Sequence, residues 1–218
     1  MPPLLNRAGC YHPMEAKKYV VFDFDGTIAD TLDLAFAIFN RIAPDYHVRQ
    51  ADKQELELLR SRKPQELLKL YGITRLRLLT LLLRIQKELT HHISEAALVQ
   101  GMESSLRQLR HAGFSLGILT SNSRENVARF LEHHALGGLM DFIYSGNSLF
   151  GKDKIIRRML GKEKIAREHV VYTGDETRDI EACHRAGIPV IAVSWGLQGR
   201  DLLATSHPDH LVDDPAEL

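Results

Sequence analysis

Cysteine is nearly absent: Cys10 and Cys183 are the only two in 218 residues, they stand far apart, and no secretory signal pattern accompanies them. That scarcity argues against a disulfide framework and a cysteine-ligated zinc site, and the expected setting is a reducing cytoplasm. An excess of one charge is missing too, since Lys plus Arg and Asp plus Glu each total 28. A chain so balanced lacks the broad electrostatic attraction of a nucleic-acid-binding or membrane-surface protein, so neither partner is expected. No run reaches the roughly 20 apolar residues of a membrane span, because the most apolar stretch, Leu76 to Leu89, is broken by Arg77, Arg84 and Lys87. It reads as a buried helix of a soluble protein. Internal repeats and low-complexity tracts are lacking as well. What remains, with 44% hydrophobic and 26% charged residues, is the composition of a globular chain with one core domain and a smaller insertion.

Within that chain, short β-rich runs recur at Tyr19–Phe24, Ser115–Thr120, Asp141–Ser145, His169–Thr173 and Pro189–Val193. Helical patterning separates them, at Asn126–His134, Lys152–Leu160 and Asp179–Ala186, the last stopped by Gly187. Strands alternating with helices over such short connections predict a doubly wound, mostly parallel α/β sheet. One interval breaks the rhythm. From about Thr31 to Leu98 there is no strand signal, only apolar residues at helical spacing: Leu56, Leu58 and Leu59, then Leu67, Leu68 and Leu70, then Leu76 through Leu89. The expected organisation is an N-terminal extension at 1–17, its first sixteen residues carrying three prolines and no periodicity, an α/β core from 18–30 and 99–218, and a helical insertion at 31–98. Ligands of open α/β sheets bind beyond the carboxyl ends of the strands, so an insertion leaving from that rim would lie over the site as a lid.

Four groups of reactive side chains fall at those strand ends or at the start of the next helix. They are Asp23-x-Asp25-Gly26-Thr27, Thr120-Ser121-Asn122, Gly151-Lys152 and Gly174-Asp175-x-x-x-Asp179. A doubly wound topology can bring all four to one rim. Asp23, Asp25 and Asp175 would then repel one another unless a cation sits between them, and hard oxygen ligands of this kind suit Mg²⁺. A magnesium ion with a lysine and a hydroxyl-bearing turn forms an electropositive pocket suited to a phosphoryl group in transfer.

These motifs resemble those of the haloacid dehalogenase superfamily, specifically its magnesium-dependent, phosphoglycolate-phosphatase-like members with a helical cap inserted after the first motif. The resemblance covers the chain from Lys18 to about Asp213. It implies that Asp23 is the nucleophile that takes the phosphoryl group, and that Asp25 protonates the leaving alcohol and then activates water. It implies further that Thr120, or Ser121 one position on, hydrogen-bonds the phosphoryl oxygens beside Asn122, that Lys152 pairs with nucleophile and phosphate, and that Thr27 shapes the loop around Asp25. Magnesium would be held by Asp23, the backbone carbonyl of Asp25 and Asp175, with Asp179 a ligand or the holder of a bound water. The expected activity is hydrolysis of a small phosphorylated metabolite by a monomer or homodimer. The other readings are a phosphomutase, which passes the same phosphoryl group to a sugar, and a non-catalytic binding or regulatory module. The intact acids and Lys152 count against the last, and the acid at Asp25 argues against the carbon–halogen branch of the superfamily, which lacks one there.

Other residues invite functional readings with less reason. His91–His92 and His133–His134 have no carboxylates at ligand spacing, and adjacent helical residues face apart. Cys183 reads as a small packing residue. Trp195, before Gly196, fits a pocket mouth and a packing role equally well. Arg60, Arg62 and Lys63 of the insertion are candidates for reading a substrate's distal anion, but solvated helix charges are the simpler account. The basic helix running on from Lys152 through Lys154, Arg157 and Arg158 reads as a solvated face.

Overall fold

The computed structural model describes residues 17–62, 66, 72–93, 96–146 and 151–218. The expectations for the N-terminal extension up to residue 16, with Cys10, and for Lys63, Leu67, Leu68 and Leu70 lie outside the described residues.

The chain starts its core with β1 (Tyr19–Phe22), in which Val20, Val21 and Phe22 are all buried. A strand apolar on consecutive positions is covered on both faces, as the centre of a parallel sheet requires. β1 indeed lies in the middle of a six-stranded sheet of order β5–β4–β1–β6–β7–β8, formed with β4 (Ser115–Thr120), β5 (Phe142–Ser145), β6 (Val170–Gly174), β7 (Val190–Val193) and β8 (His210–Val212). Every neighbouring pair in it is parallel. The pairs Phe22↔Ile118 and Phe22↔Thr173 fix which residues of β1, β4 and β6 share the carboxyl rim. Gly117 of β4 is where the ring of Phe142 comes in: an added Cβ would stand 2.0 Å from that ring.

Helices cover both faces. On one side α4 (Met102–His111) and α5 (Arg124–His133) bury Met102, Leu106, Val127 and Phe130 against Phe22, Phe24 and Ile118. The Phe24 and Phe130 rings meet edge to face at 5.1 Å. On the other, α6 (Lys152–Glu163) and α7 (Thr177–Ala186) bury Ile156, Met159, Ile180 and Cys183 against Val21, Leu119 and Tyr172. A short α8 (Arg200–Ala204) precedes β8.

Between the first strand and α4 the backbone departs from the all-helical expectation in one respect. β2 (Ala29–Asp30) and β3 (Ala97–Leu98) form an antiparallel pair, Ala29↔Leu98 and Asp30↔Ala97. Two residues each are too short for a periodic signal, yet they clamp the point where the chain leaves the core and returns. Among the described residues the excursion between them holds three helices, α1 (Leu32–Ile42), α2 (Lys53–Arg60) and α3 (Arg75–His92). It has an apolar cluster of its own in Ile38, Ile42, Ala43, Val48, Ile73 and Leu81, and Leu34 touches both this cluster and the core. No described helix is long and apolar enough to cross a membrane.

Candidate active site

Beyond Phe22 the backbone of Asp23 still donates to the Thr173 carbonyl at 2.8 Å, so its carboxylate is delivered at the end of the central strand. Gly26 then turns the chain with φ +76°, a left-handed conformation that disfavours a side chain. Space demands glycine as well, because an added Cβ would stand 2.2 Å from Asp175 Oδ2. The turn therefore folds directly over the acid that ends β6.

All four sequence motifs meet here. Lys152, only 4% exposed, enters from the first residue of α6 and donates from Nζ to Asp23 Oδ2 and to Asp179 Oδ1, both at 2.5 Å. Its ammonium also lies 5.1 Å from the centre of the Tyr172 ring. Asp23 Oδ1 accepts from the Phe24 amide at 2.8 Å. Asp179 Oδ2 accepts from the Glu176 amide at 3.2 Å while the Glu176 side chain caps the same turn of α7, so this acid is tied to its own helix start as well as to the lysine. Asp175 accepts the Thr27 hydroxyl at 3.2 Å on Oδ1 and the Leu197 amide at 2.7 Å on Oδ2. Carboxylate oxygens of Asp23, Asp175 and Asp179 all come within 4.8 Å of one another.

Asp25 stands apart from that trio. Asn122 Nδ2 donates to both of its oxygens at 3.2 Å, and Asn122 is itself held by the Asn126 amide group at 2.9 Å. Thr120, fully buried, accepts the Asn122 amide on its hydroxyl at 2.9 Å, which leaves the hydroxyl hydrogen to be donated elsewhere. Ser121 is half-buried and lines an open cavity of about 370 Å³ between α3 and the tips of β4 and β5, with Gln86, Lys87 and Ser145.

The electrostatics follow from burying so many acids. Burial pushes the Asp25 carboxyl up to about 7, the Asp23 charge adds to the rise, and the Asn122 hydrogen bonds oppose it. Burial and then the neighbouring charges of Glu176, Asp23 and Asp179 drive Asp175 well above the ordinary carboxylate range. Asp23 is also raised by burial, against the pull of the Lys152 ammonium. Burial would lower Lys152, but Asp179 and Asp23 outweigh it and hold the ammonium above its usual value. Lys152 pairs with two of the three clustered acids, Asp23 and Asp179, and the Asp175 carboxylate accepts from the neutral Thr27 hydroxyl and Leu197 amide, so acids outnumber the lysine in the cluster. A divalent cation with hard oxygen ligands fits that donor set.

Several contributors lie outside the motifs read from sequence. Arg60, for which a solvated helix charge is the simpler expectation from sequence, is instead half-buried and donates to the carbonyls of Ser194 at 2.8 Å and Gly196 at 3.1 Å. Gln86 donates to the Ser121 carbonyl at 3.0 Å. Trp195 donates its indole N–H to the Thr27 carbonyl at 3.1 Å and packs on the core, so it braces the first loop. Arg178 pairs with Glu176 inside the three positions left unread between Asp175 and Asp179. Arg62, by contrast, is exposed and pairs with Glu66, and the four histidines join no group of potential metal ligands among the described residues.

Comparison with known proteins agrees with this geometry. Residues 20–193 match the family model described as haloacid dehalogenase-like hydrolase. The chain is 34% identical over 199 residues to a phosphoglycolate phosphatase of Synechococcus elongatus, covering 91% of this chain and 94% of that one. It is 23% identical over 202 residues to the pyrophosphatase PpaX of Oceanobacillus iheyensis, with the same coverage of both. Among solved structures, a haloacid dehalogenase-like hydrolase from Streptococcus pneumoniae superposes with a TM-score of 0.73 at 19% identity, over 92% of this chain and 96% of that one. CbbY from Rhodobacter sphaeroides, solved with phosphate, gives 0.67 at 23% identity over 93% and 96%.

Proposed function

Because this chain belongs to the haloacid dehalogenase-like hydrolases, as one of their phosphatases, we propose that it hydrolyses a small phosphorylated metabolite with magnesium, through an aspartyl phosphate on Asp23. Residues 18–30 and 99–218 are the catalytic core in this reading, and residues 31–98 are a cap that shields the site from water. The observation that carries it is the buried chain Asp23–Lys152–Asp179 with Asp175 alongside, all at the tip of the central strands.

Asp23, Asp175 and the Asp25 carbonyl would hold Mg²⁺, with Asp179, already engaged by Lys152 and the Glu176 amide, suited to holding a water of the ion. When bound, the ion supplies the positive charge that offsets the clustered acids and the phosphoryl oxygens. The residues do the rest. Lys152 holds Asp23 in place and faces the incoming phosphate as a fixed cation. Asp23 attacks phosphorus as Asp25 gives its proton to the leaving oxygen, and the P–O bond to the alcohol breaks. Asp25, now a carboxylate, takes a proton from water as that water attacks phosphorus and the bond to Asp23 breaks. A carboxyl titrating near 7 can fill both roles at neutral pH. The Thr120 hydroxyl hydrogen and the Ser121 turn would meet the phosphoryl oxygens in this reading, and the open cavity that Ser121 lines supports a substrate that extends toward α3.

Phosphoglycolate is the first substrate to try, on the strength of the 34% identical relative. Turnover is expected with magnesium, abolished by EDTA, and reduced by at least about 10³-fold in Asp23→Asn. An Asp23→Asn protein that turns over at the parent rate would refute the covalent route.

A further inference from the structure

The helical insertion is fastened to the core on the side of the metal-ligand loop, and the fastening reaches a specific acid. The segment from Ser194 to Gly199 follows β7 and wraps the end of β6. On its inner side the Leu197 amide donates to Asp175 Oδ2 at 2.7 Å, and the Gln198 amide donates to the Asp175 carbonyl at 3.3 Å. The Gln198 side chain accepts the Thr177 amide at 2.7 Å, which joins the segment to the start of α7. Gly196 lies so close that an added Cβ would stand 2.4 Å from both Asp175 Oδ2 and the Gly26 carbonyl oxygen. On its outer side the same segment is gripped by the last residue of α2. Arg60 Nη2 donates to the Ser194 carbonyl at 2.8 Å, Arg60 Nε to the Gly196 carbonyl at 3.1 Å, and the Arg60 carbonyl accepts the Gly199 amide at 3.1 Å.

We propose that Arg60 is a positioning residue for Asp175: by tying two carbonyls of the Ser194–Gly199 strap, it holds the Leu197 amide on the carboxylate and so couples the docking of the insertion to the readiness of the metal ligand. A guanidinium suits this task because its planar fork meets two carbonyls at fixed spacing, which a lysine ammonium does not. Coupling of this kind is reciprocal, so whatever orders Asp175 also favours the docked insertion. The proposal rests on the reading of Asp175 as a magnesium ligand, but the strap contacts themselves do not.

The test uses the full chain and two readouts. In metal-free protein, amide hydrogen exchange across residues 194–199 is expected to run several-fold faster in Arg60→Met than in the parent, with β1 and β4 unchanged. In titration calorimetry with MgCl₂ alone, Arg60→Met is expected to bind several-fold more weakly, and Arg60→Lys to fall between. Arg62→Met, which alters an exposed pair on the same insertion, should leave both readouts at parent values. Unchanged exchange and unchanged magnesium affinity in Arg60→Met, or a change confined to KM, would overturn the proposal. Should the parent itself fail to take up magnesium, the metal reading falls. The exchange experiment still decides whether Arg60 holds the strap.

Discussion

The rim of the sheet and the helical insertion are built from opposite materials. At the rim, carboxylates and a lysine are buried together: Asp23, Lys152, Asp175 and Asp179 are each at most 5% exposed. In the insertion the residues of the buried cluster are apolar, such as Ile38, Ile42 and Leu81, and the arginines of its ion pairs reach solvent, as in Arg62–Glu66 and Arg84–Glu88. Buried charge is costly unless paired or offset, so its concentration in one place marks where the chain gives up stability for chemistry. The insertion keeps its charges outside, although Leu76, Leu82 and Leu83 of α3 are exposed as well, and its contribution to the site comes through single polar contacts such as those of Arg60 and Gln86.

That contrast can be broken most severely at Lys152. Lys152→Met removes the cation that, among the described residues, pairs with both Asp23 and Asp179, and leaves both acids buried without it. Urea denaturation in EDTA should show a loss of about 3–5 kcal/mol, alongside loss of turnover. A loss below about 1 kcal/mol would mean the pair is no more demanding than a surface ion pair. Next in size is Leu81→Ala, which opens a cavity in the insertion's own cluster and should cost about 2–4 kcal/mol there. Hydrogen exchange should accelerate in α1 and α3 while β1 and β4 keep their protection. Equal acceleration in both regions would show that insertion and core open as one unit.

The sequence is legible where burial imposes a pattern. β1 and β4 read as strands because both faces are covered and the residues are apolar in succession, and the acids stand out because they end such runs. The same logic explains what escapes. β8 is a three-residue edge strand with no fully buried position, so His210–Val212 carries no alternation to read. β2 and β3 are two residues each, and α6 runs on to Glu163 past Gly161, a residue tolerated inside a helix but easily taken for its end. Thr120, Lys152 and Asp179 become persuasive only through order along the chain, since an isolated threonine or lysine has no distinguishing neighbours. Arg60 stands out in the sequence only as a charge, and its bracing role is hidden for a further reason: it holds backbone carbonyls 134 and 136 residues away, and a carbonyl has no side-chain identity to search for.

The smallest expected effect sharpens the comparison from the insertion's side. Glu88 of α3 accepts from Arg41 of α1 at 3.0 Å and from Arg84, one turn back on its own helix, at 2.8 Å. The geometry resembles that of Lys152 with signs reversed, one central charge serving two partners. The surroundings differ: the side chains of Arg41 and Arg84 are 54% and 51% exposed, so water and salt screen the attraction. Glu88→Gln keeps the shape and a hydrogen-bonding oxygen while removing the charge. The stability loss should stay below about 1 kcal/mol at low ionic strength and fade in about 1 M salt, where charges are screened within a few ångströms. A loss that persisted in salt would mean that packing or hydrogen bonding, rather than charge, joins the two helices there. In that event Lys152 and Glu88 would differ in kind as well as in depth of burial.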